Sequence, residues 1–82
     1  GPKVGRRRAK SHDAGVMSPM PATVVALHVK AGQSVTSGET LMVLEAMKME
    51  NSLRATDDVT IAKVLVEQGQ SLVVDQPIVE FG

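Results

Sequence analysis

The chain has no cysteine, no tryptophan, no tyrosine and a single aromatic residue, Phe81. Without cysteine there can be no disulfide, no thiolate metal site and no cysteine nucleophile. Without aromatic side chains, recognition of nucleic acid by base stacking is not expected. The two histidines, His12 and His28, are too far apart to suggest a metal site. No apolar run reaches the ~20 residues of a transmembrane helix, so we expect no membrane insertion.

Charge is unevenly distributed along the 82 residues, although the formal net charge is zero. Five of the nine basic residues lie in the first ten positions, whereas from Val16 onward there are four basic and eight acidic residues. We interpret residues 1–14 as a flexible basic arm or linker and residues 15–82 as one folded domain. A nucleic-acid-binding role for the arm is an alternative, and deletion of residues 1–14 would then abolish that binding.

An internal repeat organises the folded part. Shifting the sequence by 37 residues aligns Thr23 with Thr60, Gly32 with Gly69 and Leu41 with Ile78. Each half consists of short apolar, β-branched runs separated by Gly, Pro and Ser, which is typical of strands and turns. Two strand-rich halves that are too small to bury a face alone should pack together as a sandwich or flattened barrel with almost no helix.

The repeat also predicts a backbone irregularity. The apolar pair Val24 and Val29 is five residues apart, as is the matching pair Ile61 and Val66. An odd separation on a regular strand places side chains on opposite faces. If both members of each pair face the core, each half must contain a β-bulge or bend between them.

The segment Glu45–Glu50, with the sequence Glu-Ala-Met-Lys-Met-Glu, joins the two halves. Strand-like runs at residues 40–44 and 51–54 flank it, so Lys48 is predicted at a hairpin tip. Hairpin tips usually contain Gly, Asn or Asp, and this one contains none. A solvated lysine in an ordinary turn is the simplest interpretation, but the residue types indicate selection for something other than turn geometry.

Several segments resemble the biotinyl (biotin carboxyl carrier) domain of biotin-dependent carboxylases of the acyl-CoA and pyruvate carboxylase type. The resemblance covers residues 15–82 and is most specific at Ala46-Met47-Lys48-Met49. Further matches are at residues 18–21, 29–35 and 38–41. The resemblance implies an all-β fold, a flattened barrel or sandwich of two four-stranded antiparallel sheets with quasi-two-fold symmetry and Lys48 at a hairpin tip.

The resemblance also implies that biotin protein ligase joins biotin to Lys48 through an amide. Biotin would be carboxylated at a biotin carboxylase site and would swing to a carboxyltransferase site, where an acyl-CoA or 2-oxo acid accepts the carboxyl group. The domain itself would be a non-catalytic carrier without a metal, monomeric in isolation, in the cytoplasm or, in a eukaryote, the mitochondrial matrix. Such domains often end a larger polypeptide, which we expect here.

Other residues of the motif receive weaker assignments. Ala46, Met47 and Met49 would form a recognition motif, in which the small Ala46 permits close approach of a partner. Glu45 and Glu50 either orient the ligase or are ordinary solvated acids. Three further methionines, Met17, Met20 and Met42, are expected to pack in the core.

Three positions depart from the family pattern, which usually has Gly at Ala22 and Val59 and Pro at Thr56. Glycine there would permit close backbone approach, so the local geometry of these strand starts is the open question. Two alternatives to a biotin carrier remain. One is a structural module in which Lys48 is never modified. The other is a lipoyl carrier of a 2-oxoacid dehydrogenase, although Met47 stands where lipoyl domains usually have an acidic residue.

Overall fold

The computed structural model describes residues 15–82, and the predicted basic arm lies outside the described residues. These 68 residues form eight β-strands and no helix. The strands are β1 (Gly15–Met17), β2 (Ala22–Leu27), β3 (Ser34–Val35), β4 (Thr40–Ala46), β5 (Met49–Arg54), β6 (Val59–Val64), β7 (Ser71–Leu72) and β8 (Pro77–Phe81).

The strands form two four-stranded sheets, one in the order β1-β8-β6-β3 and the other in the order β5-β4-β2-β7. Every strand pair is antiparallel. The two orders become identical when each strand is replaced by its counterpart from the other half of the repeat. The predicted fold, a flattened sandwich of two four-stranded antiparallel sheets with quasi-two-fold symmetry, is confirmed.

Hydrogen bonds that cross between the halves repeat the symmetry. The Gly32 N–H donates to the Ile61 carbonyl at 2.7 Å, and the Gly69 N–H donates to the Val24 carbonyl at 2.7 Å. Both glycines have φ near +90°, a conformation that other residues rarely adopt. Each half therefore ties its first turn to the strand of the other half, and neither half forms a complete unit alone.

The predicted bulges are present at equivalent positions. The register between β2 and β4 shifts between Val24 and Ala26, and the register between β6 and β8 shifts between Ile61 and Lys63. As expected, Val24 and Val29 are both buried, and so are Ile61 and Val66. The extra residue in each strand returns the second apolar side chain of each pair to the core face.

The core is aliphatic and lies between the sheets. Leu41 and Met42 from the first half and their counterparts Ile78 and Val79 from the second are at most 1% exposed. The remaining members of the buried cluster are Val24, Val29, Val35, Leu44, Ala55, Ile61, Val66 and Leu72. One contiguous core built equally by both halves explains why the domain does not divide further.

The unusual strand starts adopt ordinary backbone conformations. Ala22 and Val59 do not have positive φ, and both are half-buried side chains packed against the core. The backbone there needs no glycine. A glycine is needed instead at Gly15, where an added Cβ would overlap the Val79 carbonyl oxygen of the paired strand β8.

Candidate functional site at the lysine hairpin

The hairpin between β4 and β5 is longer and tighter than predicted. The strands extend to Ala46 and resume at Met49, and these two residues pair directly. Only Met47 and Lys48 remain as the connecting loop. The pairing between β4 and β5 extends to Thr40 and Arg54, with one register shift between Thr40 and Met42, so the loop is held by a long two-stranded ribbon.

The loop has a backbone conformation that its residues do not favour. Met47 has φ 54° and Lys48 has φ 65°. Positive φ at both central residues is characteristic of a type I′ turn, which favours Asn-Gly and similar pairs. A residue with a Cβ in this region costs about 1–2 kcal/mol. The turn fixes where the lysine side chain begins, at this cost in backbone strain.

The side chains at the tip point away from the core. Met47 is 92% exposed and Met49 is 65% exposed, so neither fills a gap in the interior. Lys48 is also exposed. Ala46, in contrast, is only 9% exposed. Its small size therefore serves packing at the base of the turn, and its side chain offers a partner little surface.

Glu45 and Glu50 lie directly opposite each other on β4 and β5, and both are exposed. Like charges at directly opposed positions destabilise a strand pair. The hairpin that displays Lys48 thus combines an unfavourable turn with an unfavourable cross-strand pair. Neither feature stabilises the fold. Residues that form a binding surface can have such unfavourable features, because they serve binding and not stability.

The expectation that the other methionines pack in the core is correct only for Met42, which is fully buried. Met17 is 54% exposed and Met20 is 37% exposed, so the prediction for these two is wrong. Met17 is the last residue of the short edge strand β1, and Met20 follows that strand, so both lie at the margin of the sandwich. The apolar pattern alone does not distinguish such a margin from the interior.

Three further exposed apolar residues, Leu65, Val73 and Val74, were missed by the sequence reasoning. Val73 and Val74, in the turn between β7 and β8, are 65% and 52% exposed. That turn adjoins the segment after β1, because the Ser18 N–H donates to the Gln76 carbonyl and the Asp75 N–H donates to the Ser18 carbonyl, each at 2.8 Å. The available signal was the 37-residue shift, which aligns Val73 and Val74 with the polar residues Thr36 and Ser37.

Val73, Val74 and the lysine turn lie at the same end of the sandwich. Thr23 of β2 pairs with Glu45 of β4 on one side and with Ser71 of β7 on the other. The chain therefore leaves the sheet at Met47, before Ala22 and after Leu72 at one common margin. We call this margin the lysine end. The equivalent margin of the other sheet, where β8 ends and β1 begins, is the terminal end.

The concave surface of the domain lies away from the lysine hairpin. A groove of about 480 Å³ runs between the edge strands β1 and β5 and is lined by residues that include Val16, Leu53 and Phe81. No residue from Glu45 to Glu50 contributes to it. Within residues 15–82 there is no cluster of three or more potential metal ligands. The same described residues include no helix of the length and hydrophobicity needed to cross a membrane.

The chemistry available at the hairpin is that of an exposed primary amine on a rigid projection. Among the described residues, no group of three or more potential metal ligands accompanies it. Such an amine can accept an acyl group inside the active site of another protein. A small β-sandwich that presents one lysine on a tight turn belongs to the class of carrier domains for covalently attached cofactors.

Comparison with known proteins identifies the family. Residues 14–81 match the family described as biotin-requiring enzyme. The chain is 46% identical over 66 residues to the propionyl-CoA carboxylase alpha chain of Ruegeria pomeroyi, covering 80% of this chain and 10% of that one. It is 38% identical over 77 residues to the biotin carboxyl carrier protein of acetyl-CoA carboxylase from Pseudomonas aeruginosa, covering 94% and 49%. The chain belongs to this family, as a biotinyl domain of biotin-dependent carboxylases.

Solved structures agree. A single-chain, multi-domain long-chain acyl-CoA carboxylase superposes with a TM-score of 0.76 and 34% identity, over 82% of this chain and 7% of that one. The lipoyl domain of the 2-oxoglutarate dehydrogenase complex from Azotobacter vinelandii has the same fold, with a TM-score of 0.75, 20% identity, and coverage of 84% and 95%. The chain spans about a tenth of the carboxylase alpha chain it matches and about half of the separate carrier protein.

Proposed function

We propose that Lys48 is the attachment site for biotin, joined through an amide by a biotin protein ligase. The observation that carries this proposal is the two-residue turn at Met47 and Lys48, which holds the amine at the exposed tip of a long hairpin. In the ligase step the ε-nitrogen of Lys48 attacks the acyl carbon of biotinyl-adenylate. The amide bond forms, the bond from that carbon to AMP breaks, and the amine loses a proton.

The neighbouring residues have separate roles in this proposal. Met47 and Met49 form the contact surface that a ligase reads, since flexible, polarizable side chains adapt to several partner surfaces. Ala46 holds the base of the turn. Glu45 and Glu50 orient a partner electrostatically, which accounts for the retention of an unfavourable like-charge pair.

Lys48 would hold biotin through the amide, and the ureido group of biotin would supply the nitrogen that carries a carboxyl group between two partner sites. The domain holds this group on a flexible lysine tether and presents it to a biotin carboxylase site and a carboxyltransferase site. Tethering maintains a high effective concentration at both. We expect these partners in the cytoplasm or the mitochondrial matrix.

We further propose that the acceptor is an acyl-CoA and not a 2-oxo acid. The supporting observation is that the similar proteins described above are carboxylases of propionyl-CoA, acetyl-CoA and long-chain acyl-CoA. This chain is only a small part of most of them, so the identity of the acyl group depends on the partner that holds the CoA ester.

Intact-mass spectrometry tests the attachment. The chain is incubated with biotin, ATP and a biotin protein ligase, in parallel with a Lys48→Arg variant. The parent should gain the mass of one biotinyl group, and the variant should gain nothing. Lys30→Arg is a matched control, because it alters an exposed lysine on the same domain away from the hairpin, and it should be modified like the parent.

A folded parent that gains no mass with the biotin ligase would contradict the proposal. The second candidate would then be a lipoyl carrier, which the shared fold of the Azotobacter lipoyl domain favours. The same incubation with a lipoate ligase and lipoic acid distinguishes the two, because modification of Lys48 by the lipoate ligase alone would establish that candidate.

A further inference from the structure

Four exposed apolar side chains form a surface beside the lysine turn that neither the fold nor the biotin attachment requires. We call it the apolar shelf, and it consists of Met17, Met20, Val73 and Val74. The backbone hydrogen bonds between Ser18 and the turn from Asp75 to Gln76 bring its two segments together. The shelf lies outside the recognition motif at residues 45–50.

Quasi-symmetry shows that the backbone does not demand apolar residues there. The 37-residue shift places Arg54 at the position of Met17, Asp57 at that of Met20, Thr36 at that of Val73 and Ser37 at that of Val74. The two β7–β8 and β3–β4 turns have equivalent hydrogen bonds, from the Asp75 N–H to Ser18 and from the Gly38 N–H to Ala55, each 2.8 Å long. All four polar counterparts are exposed at the terminal end. The same geometry thus accommodates polar residues at one end and presents apolar residues at the other.

The shelf is close enough to Lys48 for one partner face to contact both. Strand β2 separates β4 from β7 in the sheet, and neighbouring strands are about 4.8 Å apart. The turn that contains Val73 and Val74 therefore begins roughly 10 Å from the strand that leads to Lys48. A protein face around an entrance that accepts the modified lysine would contact both.

Charge at this end favours a basic partner once the lysine is acylated. Formation of the amide removes the cation of Lys48 and leaves the exposed carboxylates of Glu45, Glu50 and Asp75. A carboxyltransferase must hold the phosphates of CoA with lysine and arginine side chains. In an ATP site, by contrast, magnesium ions neutralise much of the phosphate charge. Charge complementarity between these carboxylates and the basic side chains of a carboxyltransferase therefore favours that enzyme as the partner.

We propose that the rim of an acyl-CoA carboxyltransferase active site docks on the apolar shelf when Lys48 is biotinylated. This inference rests on the proposed function. Four side chains are too small a surface for a stable complex. The contact is therefore transient, and insertion of the biotinylated Lys48 into the partner's site adds a second point of contact.

In the test, the two shelf valines are replaced by the residues at the positions related by the 37-residue shift. This gives the double variant Val73→Thr with Val74→Ser. The reciprocal variant, Thr36→Val with Ser37→Val, is the matched control at the terminal end. Both are biotinylated and assayed with the purified carboxyltransferase component of a propionyl-CoA carboxylase, with methylmalonyl-CoA as carboxyl donor. The shelf variant should raise KM for the carrier about tenfold with little change in kcat, and the control should match the parent.

Two parallel rates separate the possible outcomes. The ligase rate, measured on unmodified chains, should be the same for the shelf variant and the parent, and so should the rate of ATP-dependent carboxylation by a biotin carboxylase. An unchanged KM at the carboxyltransferase would overturn the docking surface. An equal loss at the biotin carboxylase or the ligase would overturn the assignment to the carboxyltransferase. A failure of the parent to be biotinylated would instead contradict the proposed function itself.

Discussion

The lysine end and the terminal end of the sandwich share one backbone plan but have different surfaces. At the terminal end the Asp58 carboxylate accepts a hydrogen bond from the Ser37 N–H at 2.8 Å, and the Ser37 hydroxyl donates to the Thr56 carbonyl at 3.1 Å. The equivalent positions at the lysine end are Pro21, Val74 and Pro19, which cannot form these bonds. The terminal end has these additional polar contacts, whereas the lysine end leaves apolar side chains exposed near the Lys48 amine.

The comparison teaches that symmetry and function act on different residues. Interior positions are matched across the two halves because both halves build the same core. Exposed positions are free to diverge, since the fold does not depend on them. A difference between symmetry-related surface residues is therefore a sign of function that similarity between the halves would hide. Substitutions in the two halves can test this separation.

The largest effect is expected in the core. Leu41→Ala and its counterpart Ile78→Ala each remove a fully buried side chain, and each should lower the free energy of unfolding by about 2–5 kcal/mol. If the halves contribute equally to one core, the two losses should be similar and both should fall in this range. Urea denaturation followed by circular dichroism measures both. A large loss for only one variant would break the proposed equivalence.

The next effect concerns the two turn glycines. Gly32→Ala and Gly69→Ala place a Cβ on a backbone with φ near +90°, where open space rules out a steric clash with other residues. Each should therefore cost about 1–2 kcal/mol from backbone strain alone. Thermal unfolding of both variants provides the comparison. Unequal costs would mean that the cross-half bonds to Ile61 and Val24 differ in strength.

A stabilising change is expected at the tip. Met47→Gly removes the Cβ from a residue at φ 54° and should raise the free energy of unfolding by about 1 kcal/mol. Under the proposed function the same change should slow modification by the ligase, because a contact side chain is lost. The control Met49→Gly lies within β5 and should destabilise instead. A Met47 variant that is no more stable than the parent would remove the case for strain at the turn.

The smallest effect is expected from the polar closure of the terminal end. Asp58→Ala deletes the acceptor of the Ser37 N–H and should cost about 0.5–1 kcal/mol. Pro21→Ala, at the equivalent position of the lysine end, deletes no hydrogen-bond acceptor of this kind. Hydrogen exchange of the Ser37 amide, measured by NMR, would detect the loss directly. Unchanged protection of that amide would indicate that the bond is not formed in solution.

How far the sequence allowed prediction depends on the kind of residue. The bulges follow from the five-residue spacing of Val24 and Val29, because a chain with period two cannot bury both without an insertion. Lys48 was predicted at the tip because strand-like runs flank it. The two-residue loop was not predicted, because residues with unfavourable turn propensity do not signal a type I′ turn. Exposure of Met17 and Met20 was missed, because hydrophobicity alone does not distinguish a margin from a core.

Periodicity and repetition along the chain are enough to establish the all-β class, the two equivalent halves and the position of the lysine motif between them. That the Lys48 turn, the segment after β1 and the β7–β8 turn lie at one end follows from the folded arrangement alone. These segments are distant along the chain and come together through strand pairing between β4, β2 and β7. Such pairing depends on cross-strand hydrogen bonds and shared burial, which no local pattern encodes.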